Sequence, residues 1–235
     1  MNKGCALRQS GRLPESLACY DEAIVIVRRL VEGGRTELAN DLAMALMNKG
    51  IALKQSGLLP EALVCYDEAI VIVRRLVAGG RTELANDLAM ALVNKGSTLH
   101  DKGRNLFEEG FKADTFPVLR EALLCFSEAI EIWDQAIQQN DAVFLLPSYI
   151  KGLQIRFGLS ARLGRWEGAA HDVSLASKSA LPFLESHSAV PGVRPEFDRL
   201  LQRISKLSPE QRAKLDAALG EQAAAFVRQH TERLG

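Results

Sequence analysis

Residues 1–46 are written out again at 47–92 with six differences: Cys5/Ile51, Arg8/Lys54, Arg12/Leu58, Ser16/Ala62, Ala18/Val64 and Glu32/Ala78. A third copy opens at Val93-Asn94-Lys95-Gly96. A fixed period of 46 residues implies a stack of supersecondary units, each burying its apolar face only against its neighbours. Such a stack presents a long surface to other molecules, so the repeat constrains the class of function as well as the architecture.

Each unit reads as two helices. In the second copy Asn40-Asp41 suits an N-cap, opening a run through Leu42, Met44, Leu46, Met47, Ile51 and Leu53 that Ser56-Gly57 stops. Pro60 fits the first turn of the next helix, where its missing N–H costs nothing. Ala62, Tyr66, Ala69, Val73 and Leu76 then recur at helical spacing. Leu63, Ile70 and Val77 widen that stripe, as in a helix packed on two sides. Gly79-Gly80 ends it.

Gly50, Leu53 and Gly57 followed by Ala62-x-x-x-Tyr66-x-x-Ala69 resemble the tetratricopeptide repeat pattern. Gly4, Leu7, Gly11, Tyr20 and Ala23 carry it in the first copy, with Ser16 for the first alanine. Gly96, Leu99, Gly103, Ala122, Phe126 and Ala129 carry it in the third. The family period is about 34 residues. The longer period here is similar to the long-helix variants, such as the repeats of kinesin light chains. Two features depart from the pattern: Lys49 and Lys95 replace a leucine before the packing glycine, and Arg28 and Arg74 lie near the register of a closing proline. The resemblance implies an all-α, right-handed superhelical solenoid of about four helix pairs. The units are 1–34, 35–80, 81–140 and 141–186, followed by a linker at 187–195 and capping helices at 196–235.

The third unit carries a 14-residue excess near Asn105–Val118, with Phe107, Phe111 and Phe116. It reads either as an apolar cover for the stack or as a docking element. In the fourth unit, Leu145–Leu163 and a helix through Ala169, Val173 and Ala176 form the pair, and the packing-glycine register falls on Phe157 with Gly158 beside it. Glu196–Leu207 and Ser208–Leu234 read as helices, the second opening on a capping box with Pro209. Met1 aligns with Met47, so nothing upstream corresponds to 35–46. The chain reads as the continuation of a longer array or as an open apolar end that meets another chain. The second alternative implies a homodimer through residues 1–35.

Lys+Arg and Asp+Glu both total 29, so no global field draws nucleic acid or an anionic membrane. No apolar run approaches the roughly 20 residues of a membrane span, and the N-terminus lacks a basic leader with an apolar stretch. A cytoplasmic protein is expected. Cys19, Cys65 and Cys125 share one register, a repeat apart and too distant for a disulfide, and read as small core residues. His100, His171, His187 and His230 have no second ligand at a metal spacing. No cofactor, metal or catalytic constellation is expected.

In tetratricopeptide arrays the first helices line the concave groove, so the resemblance places a peptide site on Met44, Met47, Asn48, Ile51, Lys54, Gln55, Met90 and Asn94. An asparagine two residues before the packing glycine, as Asn48 and Asn94 are, commonly holds a ligand backbone in peptide-binding members, because its amide donates and accepts. Lys151 and Arg162, three turns apart on the fourth unit's first helix, join Arg156 and Arg165 in a stretch free of acids from 142 to 166. They read as a basic patch for an acidic segment. Two functions follow. One is a non-enzymatic adaptor that binds a peptide or protein segment in its groove; the other is a structural oligomerisation or spacer module.

Overall fold

The computed structural model describes residues 2–140, 142–185 and 190–232; His187 and Leu234 lie outside them. Among the described residues all regular structure is helical. Four hairpins follow one another: α1 (Asn2–Gln9) with α2 (Leu13–Glu32), α3 (Ala39–Gln55) with α4 (Leu59–Ala78), α5 (Ala85–Glu108) with α6 (Lys112–Asn140), and α7 (Leu146–Arg162) with α8 (Trp166–Glu185). Three further helices follow, α9 (Val193–Ser205), α10 (Pro209–Leu219) and α11 (Glu221–Glu232). No described helix is long and apolar enough to cross a membrane. The chain divides into two units, Met1–Ala129 and Ile130–Gly235.

In the first unit α3 packs against both α2 and α4, and α4 against both α3 and α5. Every inner helix is therefore covered on two sides, as its wide apolar stripe requires. The entry to each first helix differs from the Asn40-Asp41 cap expected. A 3₁₀ turn at Thr36–Leu38 leads directly into α3, leaving Asn40 and Asp41 inside its first turn, and Thr82–Leu84 does the same for α5. Pro60 does sit in the first turn of α4, and Gly57 supplies the left-handed residue (φ +80°) at the hairpin.

The close approach within each hairpin is set by a glycine facing an aromatic ring. A Cβ on Gly4 would lie 2.7 Å from Tyr20 Cε1, one on Gly50 2.7 Å from Tyr66 Cε1, and one on Gly96 3.0 Å from Phe126 Cε2. The three rings are fully buried. The fourth hairpin inverts the sizes. Phe157 occupies the glycine register of α7 and Val173 the aromatic register of α8, and both are buried with Ala169 and Ala176. Gly158 serves another contact: its Cβ would meet the Arg203 guanidinium of α9 at 2.9 Å.

The extra residues of the third hairpin lengthen both of its helices. α5 runs on to Glu108, Gly110 turns the chain at φ +91°, and α6 starts at Lys112. Phe107, Phe111 and Phe116 are each more than half exposed, so this segment is not the apolar cover considered from the sequence. Cys65 and Cys125 are buried as expected, whereas Cys19 is only half-buried.

In the second unit α7 packs on α8 and α9, and α10 on α8 and α11. The expected helix from Ser208 to Leu234 is two helices, because Gly220 adopts φ +78° between α10 and α11. α9 begins at Val193, inside the stretch read as linker. The capping box is present: Ser208 Oγ accepts from Gln211 N (3.2 Å), and Gln211 Oε1 accepts from Ser208 N (3.0 Å).

Replacing Gly50 by alanine adds helix propensity of up to about 1 kcal/mol but drives a methyl into an immobile ring. Overpacking of this kind costs about 1–3 kcal/mol. We expect Gly50→Ala to lower stability in denaturant melts, and Gly96→Ala, with its slightly wider gap, to lower it less.

Candidate functional site

The first-helix face of the first unit is held together by polar side chains reaching from α3 to α5. Lys54 Nζ lies 3.0 Å from Asp101 Oδ2 and donates to Ser97 Oγ at 2.6 Å. Burial raises the Asp87 carboxyl above its usual range, and a hydrogen bond from Asn40 works against that rise. Lys54 is thus matched by an acid of the neighbouring helix, and its first role is to fix the spacing of α3 and α5. Asn48 and Asn94 are both half-buried, in equivalent turns of α3 and α5. Asn48 Nδ2 donates to the Met44 backbone carbonyl at 2.9 Å, and the backbone carbonyl of Asn94 accepts from Thr98 Oγ1 at 2.9 Å.

The other residues named from the sequence separate by burial. Met44 is half-buried, while Gln55 and Met90 are exposed. Met47 is buried in the core and offers no lining surface. Ile51 packs against the cluster of Leu53, Ala62, Cys65 and Tyr66.

The opposite face, formed by the second helices, carries an arrangement that the sequence reading missed. Arg28 of α2 pairs with Glu68 of α4 at 2.8 Å, and Arg74 of α4 pairs with Glu128 of α6 at 2.7 Å. Lys49 reaches back from α3 to Asp21 at 2.5 Å. Lys95 reaches from α5 to Asp67 and Glu121, both at 2.8 Å. These are the residues by which the copies depart from the tetratricopeptide pattern. They form a ladder of ion pairs in the same registers at successive hairpins. Burial alone would lower the Lys95 ammonium, but its two carboxylates outweigh that and raise it. Burial likewise pushes the Cys125 thiol beside it up to about 11, which leaves it a protonated, inert packing group. Between α4 and α6 the rungs bound a groove of about 400 Å³ floored by Leu92 and walled by Ile70, Val71 and Leu124.

In the second unit Lys151 and Arg162 are exposed on α7, as is Arg165 just beyond it. Arg156 does not join them. It turns inward and grips Asp172 of α8, with Nη2 at 2.5 Å and Nε at 2.8 Å from Oδ1. Arg156 occupies the register of Lys49 and Lys95, and Asp172 that of Cys65 and Cys125. The fourth hairpin therefore replaces the lysine–thiol neighbours by a buried ion pair. Asp172 is 1% exposed, and burial pushes its carboxyl up to about 6 against the pull of Arg156. Arg203 is lowered, first by burial and then by repulsion from Arg162. No group of three His, Cys, Asp or Glu able to hold a metal occurs among the described residues.

No family model matches the chain, and no curated protein matches it. Among solved structures it is similar to the crystal structure of BtubC (BKLC) from P. vanneervenii. The two are 13% identical, with a TM-score of 0.44, over 94% of this chain and 90% of that one.

Because the folded state favours protonated Asp172, its contribution to stability is full below about pH 4 and is lost as pH rises through about 6. Denaturant melts of the native chain and of Asp172→Asn, compared between pH 4 and 7, should diverge in slope. The native chain should lose more stability with rising pH.

Proposed function

We propose that the chain is a non-enzymatic interaction module of the tetratricopeptide type, similar to the long-helix repeats of kinesin light chains. In this reading it holds an extended peptide or protein segment against the first-helix face of its first unit. One observation carries the proposal: the asparagines Asn48 and Asn94 sit half-buried in the same register of successive first helices. A side-chain amide both donates and accepts, so asparagines at that spacing suit the alternating N–H and C=O groups of an extended backbone. Met44, Gln55 and Met90 flank them with adaptable surface. Lys54, matched by Asp101, keeps the two helices in register and adds a partly accessible charge. Lys151 and Arg162 are a separate basic surface on the second unit, suited to acidic residues of the partner. A cytoplasmic setting fits this reading.

A peptide array probed with the labelled full chain tests the proposal. Peptides should be retained, and Asn48→Ala with Asn94→Ala should weaken their binding about tenfold at any salt concentration, at about 0.5–1.5 kcal/mol per hydrogen bond. Replacing Lys151 and Arg162 should weaken only acidic peptides, and less so at high salt. An array that retains nothing, or binding indifferent to both asparagines, overturns the reading.

A further inference from the structure

Three of the six differences between the first two copies fall on exposed positions, and all three make the second copy more apolar. Leu58 stands for Arg12, Val64 for Ala18 and Ala78 for Glu32. The rest of α4 repeats α2 almost letter for letter, so these positions mark where the surface of α4 departs from that of α2. Val64, Val71 and Ala78 follow one another at seven-residue spacing, two helical turns, and form one stripe along α4. Val64 is 67% and Val71 56% exposed, and Ala78 is exposed as well. The matching stripe of α2 is Ala18, Val25 and Glu32, which ends on a charge.

Within the first unit the ion-pair ladder holds α4 between α2 and α6. Glu68 takes Arg28 on one edge of the stripe, and Arg74 takes Glu128 on the other. The stripe is the ridge between those edges. Arg75 lies two turns from Glu68 on the same edge; it is exposed and takes part in no ion pair among the described residues. Glu68 keeps 37% of its side chain accessible beside Arg28. When two α4 helices are laid antiparallel about a two-fold axis through Val71, that residue meets its own copy and Val64 falls opposite Ala78. The same axis sets Glu68 beside Arg75 of the second copy, and symmetry makes that pair twice. A parallel arrangement would instead set Glu68 beside Glu68 and Arg75 beside Arg75. On α2 the antiparallel arrangement would press Glu32 against Ala18, so the apolar match is particular to the second hairpin.

We propose that the outward stripe of α4 is a docking surface for a second copy of this chain. The two α4 helices lie antiparallel, with Val71 at the axis and Val64 against Ala78 on either side of it. Two Glu68–Arg75 pairs close the edge that faces α2. Each larger side chain is set against a smaller one, which lets the two helices approach. Val25 of α2, 58% exposed and in the register of Val71, adjoins the stripe on that edge. Peptide binding concerns the first-helix face and is independent of this contact.

Sedimentation velocity of the full chain over a range of concentrations tests it. The expected result is a monomer–dimer equilibrium that Val71→Asp weakens at least about tenfold, because the axis sets the two new carboxylates against each other. Phe111→Asp, an equally exposed apolar position at the turn between α5 and α6, should leave it unchanged. Glu68→Arg and Arg75→Glu should each weaken self-association, while an equimolar mixture of these two variants should restore it as a heterodimer. Circular dichroism of each variant should match the native chain, because Val71, Arg75 and Phe111 are exposed and Glu68 is partly so. A chain that stays monomeric at every concentration overturns the proposal. So does a dimer indifferent to Val71→Asp, equally sensitive to Phe111→Asp, or not restored by the mixture.

Discussion

The close approach of helix backbones at a glycine, against the flat face of a buried ring, is the contact on which the first three hairpins depend. Gly4, Gly50 and Gly96 leave room for Tyr20, Tyr66 and Phe126 and for nothing larger than hydrogen on the facing helix. This contact brings the two helices of a hairpin close enough for small residues such as Ala62 and Ala69 to be fully buried. Their wide apolar stripes can then be shared with the next hairpin. Volume is conserved rather than identity. The fourth hairpin fills the same space from the other side, with Phe157 on the first helix and Val173 on the second.

Ion pairs in a fixed register supplement that packing. Single surface pairs of this kind contribute little. Repeated as Arg28–Glu68 and Arg74–Glu128, with Lys49 and Lys95 beneath, they exclude shifted registers, in which a lysine or arginine would meet no acid. The differences between copies follow local needs. Ser16 donates to the Gly4 carbonyl at 2.8 Å, and Tyr20 donates to Cys5 at 3.3 Å; Ala62 and Ile51 replace these polar contacts by apolar packing. Tyr66 has no counterpart of the Tyr20–Cys5 contact, because Ile51 stands where Cys5 does in the first copy. Burial raises its pKa, so it stays protonated.

The helical hairpins were legible in the sequence because the repeat, the glycine–aromatic spacing and the turn glycines all point to one arrangement. The polar architecture was less so. Lys49 and Lys95 read as defects in a family pattern, although their recurrence at an identical register was the signal that they have partners. Arg156 read as one cation of a surface patch, because its partner Asp172 lies on another helix and no local spacing reveals it. Gly220 was passed over inside an alanine-rich run, where propensity favours continuation but a left-handed φ breaks it. The candidate binding face was legible only through the asparagine register. Which of its neighbours are exposed, Met90 but not Met47, depends on how far α3 and α5 are rotated against α4, and periodicity alone does not resolve that rotation.

The account holds that each helix owes its stability to the layers that flank it rather than to its own sequence. Two helices with the same core sequence and different cover allow a direct test. Hydrogen exchange at low protein concentration, followed in the peptides Ala18–Glu32 and Val64–Ala78, which differ only at their ends, reads the two environments separately. Amides in the C-terminal half of α4 should exchange markedly more slowly than the identical amides of α2. Equal protection in the two segments would contradict the account, because the sequence of the helix, and not its neighbours, would then determine its stability.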